Sequence, residues 1–189
     1  EFIIITYTSF DELIKDVVTS YFPDKKISFS IQYEQKGISH ALMCAKEYIH
    51  PGDSVFFILG DNFFEHNPTE NLNLKKINAD KGAHIFSYIV KNPEEFGVAE
   101  LDSNNNVISI EEKPEKPKSN QAVVGFYIYD DTVMDKIVTL KPSARGEYEV
   151  TDLNNLYIQN EKCKNVTING WWIDAGTPDR IIELEEKLT

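Results

Sequence analysis

The chain has 189 residues, 41% of them hydrophobic, with 11 Phe and 9 Tyr, enough for a sizeable core in one domain or two. A net charge of −12 and the lack of any basic stripe exclude a nucleic-acid surface, though not a small phosphorylated substrate, which needs only a local cluster of cations and amide donors. Cys44 and Cys163 are isolated and form no CxxC pair, which argues against a disulfide framework or zinc site and fits a reducing cytoplasm; no apolar run reaches membrane-spanning length and no secretory signal is visible.

The first half alternates strand and helix signals. Phe2 to Thr6 reads as a buried strand with no leading Met or polar tail before it. Ser9-Phe10-Asp11-Glu12 is a capping box, after which Leu13, Val17, Val18 and Tyr21 form one apolar helical stripe. Ile27 to Gln32 is the next strand. Gly37 precedes a helix whose buried face is Ile38, Ala41, Leu42, Ala45, Tyr48 and Ile49. The continuously apolar run Val55 to Leu59 suits a parallel sheet covered on both faces. A helix over 72–80 and a strand over 83–90 follow. Then the pattern changes. Gly97 to Leu101 and Val107 to Ile110 read as a hairpin with a polar tip. A Pro- and charge-rich loop covers 111–117, and Ala122 to Tyr129 is a strand. Helices are expected over 132–140 and 147–159, with short strands at 165–168 and 171–174. Thr177-Pro178-Asp179 starts the last helix, with Thr as N-cap and Pro at N1. The reading is α/β: a mixed, mainly parallel Rossmann-like sheet flanked by helices, with a β-hairpin insertion, in a single domain spanning 1–189.

Two carboxylate motifs each close a strand-like run. Val55 to Leu59 runs into Gly60-Asp61-Asn62, and Trp171-Trp172-Ile173 into Asp174-Ala175-Gly176-Thr177. An aspartate at the exit of a buried strand is costly unless a cation meets it. Two such exits place both carboxylates within reach of one Mg²⁺, which takes one or two carboxylates plus phosphate oxygens. The plainer alternative is that each Asp caps a turn. Between these motifs lie other chemistry-capable segments. Gln32 to Gly37 joins a strand to a helix, and a Gln offers one acceptor and two donors to a nucleobase edge, while Gly lets backbone approach closely. In Glu111-Glu112-Lys113-Pro114, Glu can accept from sugar hydroxyls and Lys can hold a phosphate; the alternative is a solvated charge run. Arg145 can orient a phosphate or carboxylate, or Glu147 and Glu149 simply favour a helix N-terminus. One of Trp171 and Trp172 is a core residue and the other a platform for a sugar or base. The four His share no metal-ligand spacing.

Taken in order, these segments resemble the sugar-phosphate nucleotidylyltransferases, and within them the glucose-1-phosphate thymidylyltransferases. The resembling motifs are Gln32 with Gly37 to Ala41, Leu59 to Asn62, Phe96-Gly97-Val98, Glu111 to Pro114 with Pro117 to Asn120, Gly125-Phe126-Tyr127, Lys141 to Glu147 with Thr151-Asp152, and Trp172 to Thr177. The resemblance implies the nucleotide-diphospho-sugar transferase fold and a reaction in which the phosphate of glucose 1-phosphate attacks the α-phosphorus of a nucleoside triphosphate, dTTP first, to release pyrophosphate. UTP or CTP is the alternative nucleotide, and a non-catalytic sugar-nucleotide-binding or assembly subunit the alternative role. It further implies a homo-oligomer in the cytoplasm, with Mg²⁺ as cofactor. Carried over by position, Asp61 and Asp174 hold the metal and, with Lys113, form the catalytic set. Gln32 and Gly37 read the base, Gly97 and Glu112 bind glucose hydroxyls, Lys113 grips the sugar phosphate, and Tyr127 and Trp172 wall the site. Three departures stand out. The family's opening strand and Gly-rich loop, which cradle the triphosphate, have no counterpart before Gly37, so the chain reads as N-terminally truncated and impaired in catalysis. The family's C-terminal helical tail is also lacking. Phe96 stands where many relatives carry Tyr.

Overall fold

The computed structural model describes residues 1–160 and 162–189. In chain order the elements are β1 Phe2–Tyr7, α1 Asp11–Tyr21, β2 Ile27–Gln32, α2 Ile38–Met43, β3 Ser54–Ile58, β4 Asn62–Phe64, α3 Leu74–Asp80, β5 Ala83–Ile89, β6 Gly97–Leu101, β7 Val107–Glu112, β8 Gln121–Asp130, α4 Val133–Ile137, α5 Val150–Ile158, β9 Cys163–Thr167, β10 Trp172–Asp174 and α6 Pro178–Leu188. Single 3-10 turns sit at Lys46–Tyr48 and Pro93–Glu95. The chain is α/β, and it divides into two compact units: Glu1–Gly52 with Asp131–Leu153, and Asp53–Asp130 with Asn154–Thr189.

In the first unit β1 and β2 pair in parallel from Phe2↔Ile27 to Tyr7↔Gln32, so Gln32 stands at the carboxyl end of its strand, where α/β sheets bind ligands. The expected capping box is not formed. Phe10 is the N-cap of α1 and makes no side-chain cap bond. Instead the Asp11 carboxylate accepts from the Thr6 hydroxyl at 2.8 Å and pairs with Lys15, which ties the helix start to the end of β1. Leu13, Val17 and Tyr21 of the apolar stripe lie exposed, while Ile14 and Val18 are half-buried.

In the second unit the ten-residue β8 is the central strand. It is antiparallel to β3, β5 and β6, while β5 runs parallel to β9 and β6 forms the expected hairpin with β7. Because side chains alternate across a strand, β8 feeds two cores. Val124, Phe126 and Ile128 pack with Phe86, Ile168 and Trp172. Tyr127 and Tyr129 stack in the other direction, and Tyr129 continues onto Tyr157. Each such large apolar side chain contributes about 1.5–3 kcal/mol when fully buried. β3 departs from expectation: Phe57 is buried against Tyr127, but Phe56 and Ile58 are 45% and 54% exposed, so only one face of this apolar run is covered.

His84, on β5, is 8% exposed and its Nδ1 has no hydrogen-bond partner among the described residues. Burial, then the charge of Lys164, hold its pKa below 6.5, with Asp80 opposing. The folded protein therefore binds this proton less tightly than the unfolded chain does. Stability is fully present above pH 6.5 and is lost as pH falls from there through the depressed folded value. Urea denaturation at pH 7 and about pH 5 should show a decline that His84→Gln flattens; an equal decline in both proteins would assign it to other groups.

Candidate active site

The second unit assembles the acidic centre. β10 pairs antiparallel with β4, with Asp174 opposite Asn62, and the Ala175 amide donates to the Asp61 carbonyl at 2.7 Å. A three-residue strand was not expected at 62–64, yet it is this pairing that joins the two motifs. Both carboxylates converge on Gly176. A Cβ there would lie 3.2 Å from Asp174 Oδ1 and 3.6 Å from Asp61 Oδ2, so the two oxygens are no farther apart than those distances together. The Gly176 amide donates to Asp174 Oδ1 at 3.2 Å. Burial first, then the charge of Asp61, push the Asp174 carboxyl above its ordinary pKa, while the Gly176 N–H, Arg180 and Lys113 pull it back.

The residues expected to meet the sugar phosphate, Gly97, Glu112 and Lys113, lie on or just after the β6–β7 hairpin. Gly97 and Glu112 are directly paired across it. The chain then turns so that the Lys113 amide donates to the Phe96 carbonyl at 3.0 Å, with Lys113 in the left-handed region at φ 43°. That conformation costs a non-glycine residue about 1 kcal/mol or more. The field of Lys113 reaches Asp174.

Gln32 and Gly37, the residues expected to read a base, belong to the first unit. Gln32 Nε2 donates to the Gly37 carbonyl at 3.1 Å and contacts His40 Nδ1 at 3.0 Å. Since the Gly37 oxygen can only accept, the amide orientation is fixed and Gln32 Oε1 is left as the acceptor the residue presents. Gly37 has φ 94°, and a Cβ on it would meet the Tyr148 carbonyl oxygen at 2.8 Å and the Tyr148 nitrogen at 3.0 Å. Tyr148 in turn donates from its amide to Lys36 O at 2.7 Å and stacks on His40. Gly37→Ala is therefore expected to cost about 1–3 kcal/mol in urea denaturation; an unchanged midpoint would mean that the 148 segment yields freely.

A family model described as Nucleotidyl transferase matches residues 1–189. The chain belongs to the nucleotidyl transferase family. It is 42% identical over 161 residues to the glucose-1-phosphate thymidylyltransferase of Neisseria meningitidis serogroup A, covering 83% of this chain and 55% of that protein. It is 40% identical over 175 residues to the bifunctional protein GlmU of Methanocaldococcus jannaschii, covering 92% of this chain and 41% of that one. The chain thus spans about half the length of the curated relatives it matches. Among solved structures, a Bacillus anthracis protein assigned as a glucose-1-phosphate thymidylyltransferase, in complex with a sucrose, superposes with a TM-score of 0.86 at 34% identity, covering 98% of this chain and 74% of that one. A UDP-glucose pyrophosphorylase complexed with UDP-glucose, at TM-score 0.82 and 20% identity, shares the fold.

Three of the residues expected at the site are packed or paired within the protein. Trp172 is 8% exposed, with its ring edge-on to Phe96 and beside Tyr88, and its indole N–H donates to Asn62 Oδ1 at 2.8 Å. It is the core tryptophan of the pair, backing the acidic centre rather than offering a ring face. Tyr127 is likewise buried, and burial followed by the charge of Glu112 raises its hydroxyl pKa. Its alternation with the inward-facing Phe126 turns it into the second core. Arg145 is engaged by carboxylates: its Nη2 and Nε bond Glu149 at 2.9 to 3.2 Å, and Glu147 lies 3.6 Å away. A guanidinium prefers such bidentate partners, and here Glu149 supplies the fork. Two participants escaped the sequence reading. Asn62 lay inside a quoted motif without a role, and Arg180 was read only as part of a helix; neither carries a signal until β4 and β10 meet.

Among the described residues, no group of three or more His, Cys, Asp or Glu side chains is arranged to hold a metal. Two convergent carboxylate oxygens nonetheless suit Mg²⁺, which keeps its remaining positions for water and substrate phosphate. Asp61 and Asp174 are the residues that would hold it.

Proposed function

We propose that this chain carries the catalytic centre of a sugar-1-phosphate nucleotidylyltransferase joining glucose 1-phosphate to a nucleoside triphosphate, with dTTP the preferred nucleotide. The observation that carries the reading is the convergence of Asp61 and Asp174 on Gly176, within the field of Lys113. A phosphate oxygen of the sugar phosphate attacks the α-phosphorus; a new P–O bond forms, the bond to the β-phosphate bridge breaks, and pyrophosphate leaves with the electron pair. Asp61 and Asp174 would hold Mg²⁺, which would supply charge neutralisation at that phosphorus. The chain's own contribution is positioning. Lys113 takes the sugar phosphate, while Glu112 and the Gly97 backbone take glucose hydroxyls. Gln32 Oε1 accepts from the ring N–H that thymine and uracil carry and cytosine lacks, which favours dTTP or UTP over CTP. The free thiols of Cys44 and Cys163 suit a reducing cytoplasm. The exposed stripe of Leu13, Val17 and Tyr21 suits assembly into a homo-oligomer, checked by light scattering.

The test is pyrophosphate release from dTTP, UTP and CTP with glucose 1-phosphate, with and without Mg²⁺, using the whole protein. Release from none of the three overturns the reading. Gln32→Ala should narrow the preference for dTTP over CTP by about 1–3 kcal/mol, the value of a good base contact. An unaltered preference would leave Gln32 as a support for the Gly37 turn alone.

A further inference from the structure

Asn62 is 9% exposed, and its carboxamide is committed on both sides. Oδ1 accepts from the Gly125 amide at 2.9 Å and from the Trp172 indole N–H at 2.8 Å, which uses both lone pairs and fixes which end of the amide is oxygen. Nδ2 is thereby turned to Asp61, where it donates to Oδ1 at 2.8 Å. The other Asp61 oxygen, Oδ2, is the one near Gly176 and Asp174. One oxygen of the carboxylate is therefore held and the other is aimed. The fit depends on Gly125, because a Cβ there would stand 2.7 Å from Asn62 Nδ2 and 2.8 Å from its Cγ. Three strands meet at this one side chain: β4 carries it, β8 supplies Gly125 and β10 supplies Trp172.

We propose that Asn62 is a positioning residue, which ties the Trp172 indole and the Gly125 amide to the Asp61 carboxylate and so holds Asp61 where it shares a divalent cation with Asp174. The inference rests on the metal reading of the previous section. Loss of a partner that orients a ligating group typically weakens metal affinity about 10- to 100-fold. A side chain that merely fills the core would alter stability and leave the cation's affinity alone.

The experiment compares the whole protein with Asn62→Ala, Asp61→Asn and the double variant, using calorimetric titration with Mn²⁺ alone and thermal melts of each. Asn62→Ala is expected to weaken Mn²⁺ binding about tenfold, and Asp61→Asn by at least as much. The double variant should bind no more weakly than Asp61→Asn, because Asn62 acts through that carboxylate. Unchanged Mn²⁺ affinity in Asn62→Ala, or losses that add in the double variant, would overturn the inference while the metal reading stood. Unchanged affinity in Asp61→Asn would overturn both. Should Asn62→Ala not fold, Gly125→Ala decides: it keeps residue 62 and displaces its amide, and the same loss of Mn²⁺ affinity is expected. A folded Gly125→Ala with full affinity would count against the positioning role.

Discussion

Asp174→Asn is expected to lower Mg²⁺-dependent turnover by about 100-fold or more, a loss of about 2.7 kcal/mol of transition-state stabilisation, while leaving the melting temperature in chelator unchanged or higher. The two effects have one origin. Burial and the neighbouring Asp61 raise the Asp174 carboxyl above 3.8, so the folded protein holds that proton more tightly than the unfolded chain. Ionising it consequently costs stability, a cost absent below pH 3.8 and complete above the raised folded value. At neutral pH a neutral amide removes that cost, and with it the charge a cation needs. Pyrophosphate release and melts in EDTA measure both. A drop in melting temperature in EDTA as large as that of a typical core substitution would make Asp174 a structural residue, and unchanged turnover would remove it from the site.

Lys113 gives the second large effect. Lys113→Ala should reduce kcat/KM for glucose 1-phosphate by about 100- to 1,000-fold, as for other single groups that meet developing or transferred charge. The companion variant Lys113→Gly should lose as much activity but be more stable than Lys113→Ala by about 1 kcal/mol, because glycine adopts the left-handed backbone without penalty. Steady-state kinetics with varied sugar phosphate, together with urea denaturation of both variants, separate the two roles. Equal stabilities would mean that the φ of 43° is relaxed without cost by the Phe96 hydrogen bond. Full activity in either variant would place the sugar phosphate elsewhere.

Much of the fold was legible because its signals are periodic or local. β2 falls on the expected residues, and β5, β8 and the β6–β7 hairpin lie within a residue or two of expectation. Pro178 marks the start of α6, although Thr177 makes no side-chain cap bond there. What stayed hidden depends on partners distant in sequence. β4 has three residues, too short for any alternation, and exists through β10. Ser9 reads as a cap because the motif around it is local, but the helix starts one residue later, with Phe10 as its N-cap. The aspartates of the site were visible as strand exits. The enclosure of Trp172 and Tyr127 was not, since an aromatic beside a carboxylate reads the same in sequence whether its ring is open or packed.

The register that sets Asp174 against Asn62 closes a chain loop of more than a hundred residues. Contacts of such separation carry a large loop-closure cost and form late relative to local helices and hairpins. Neither carboxylate motif can complete the acidic centre by itself, and a nascent chain still lacking β10 has no second oxygen donor to offer. On the proposed metal role, cation affinity should report finished tertiary structure, and Mg²⁺ should act late, binding the docked strand pair and slowing its release while leaving the early folding steps as fast as before.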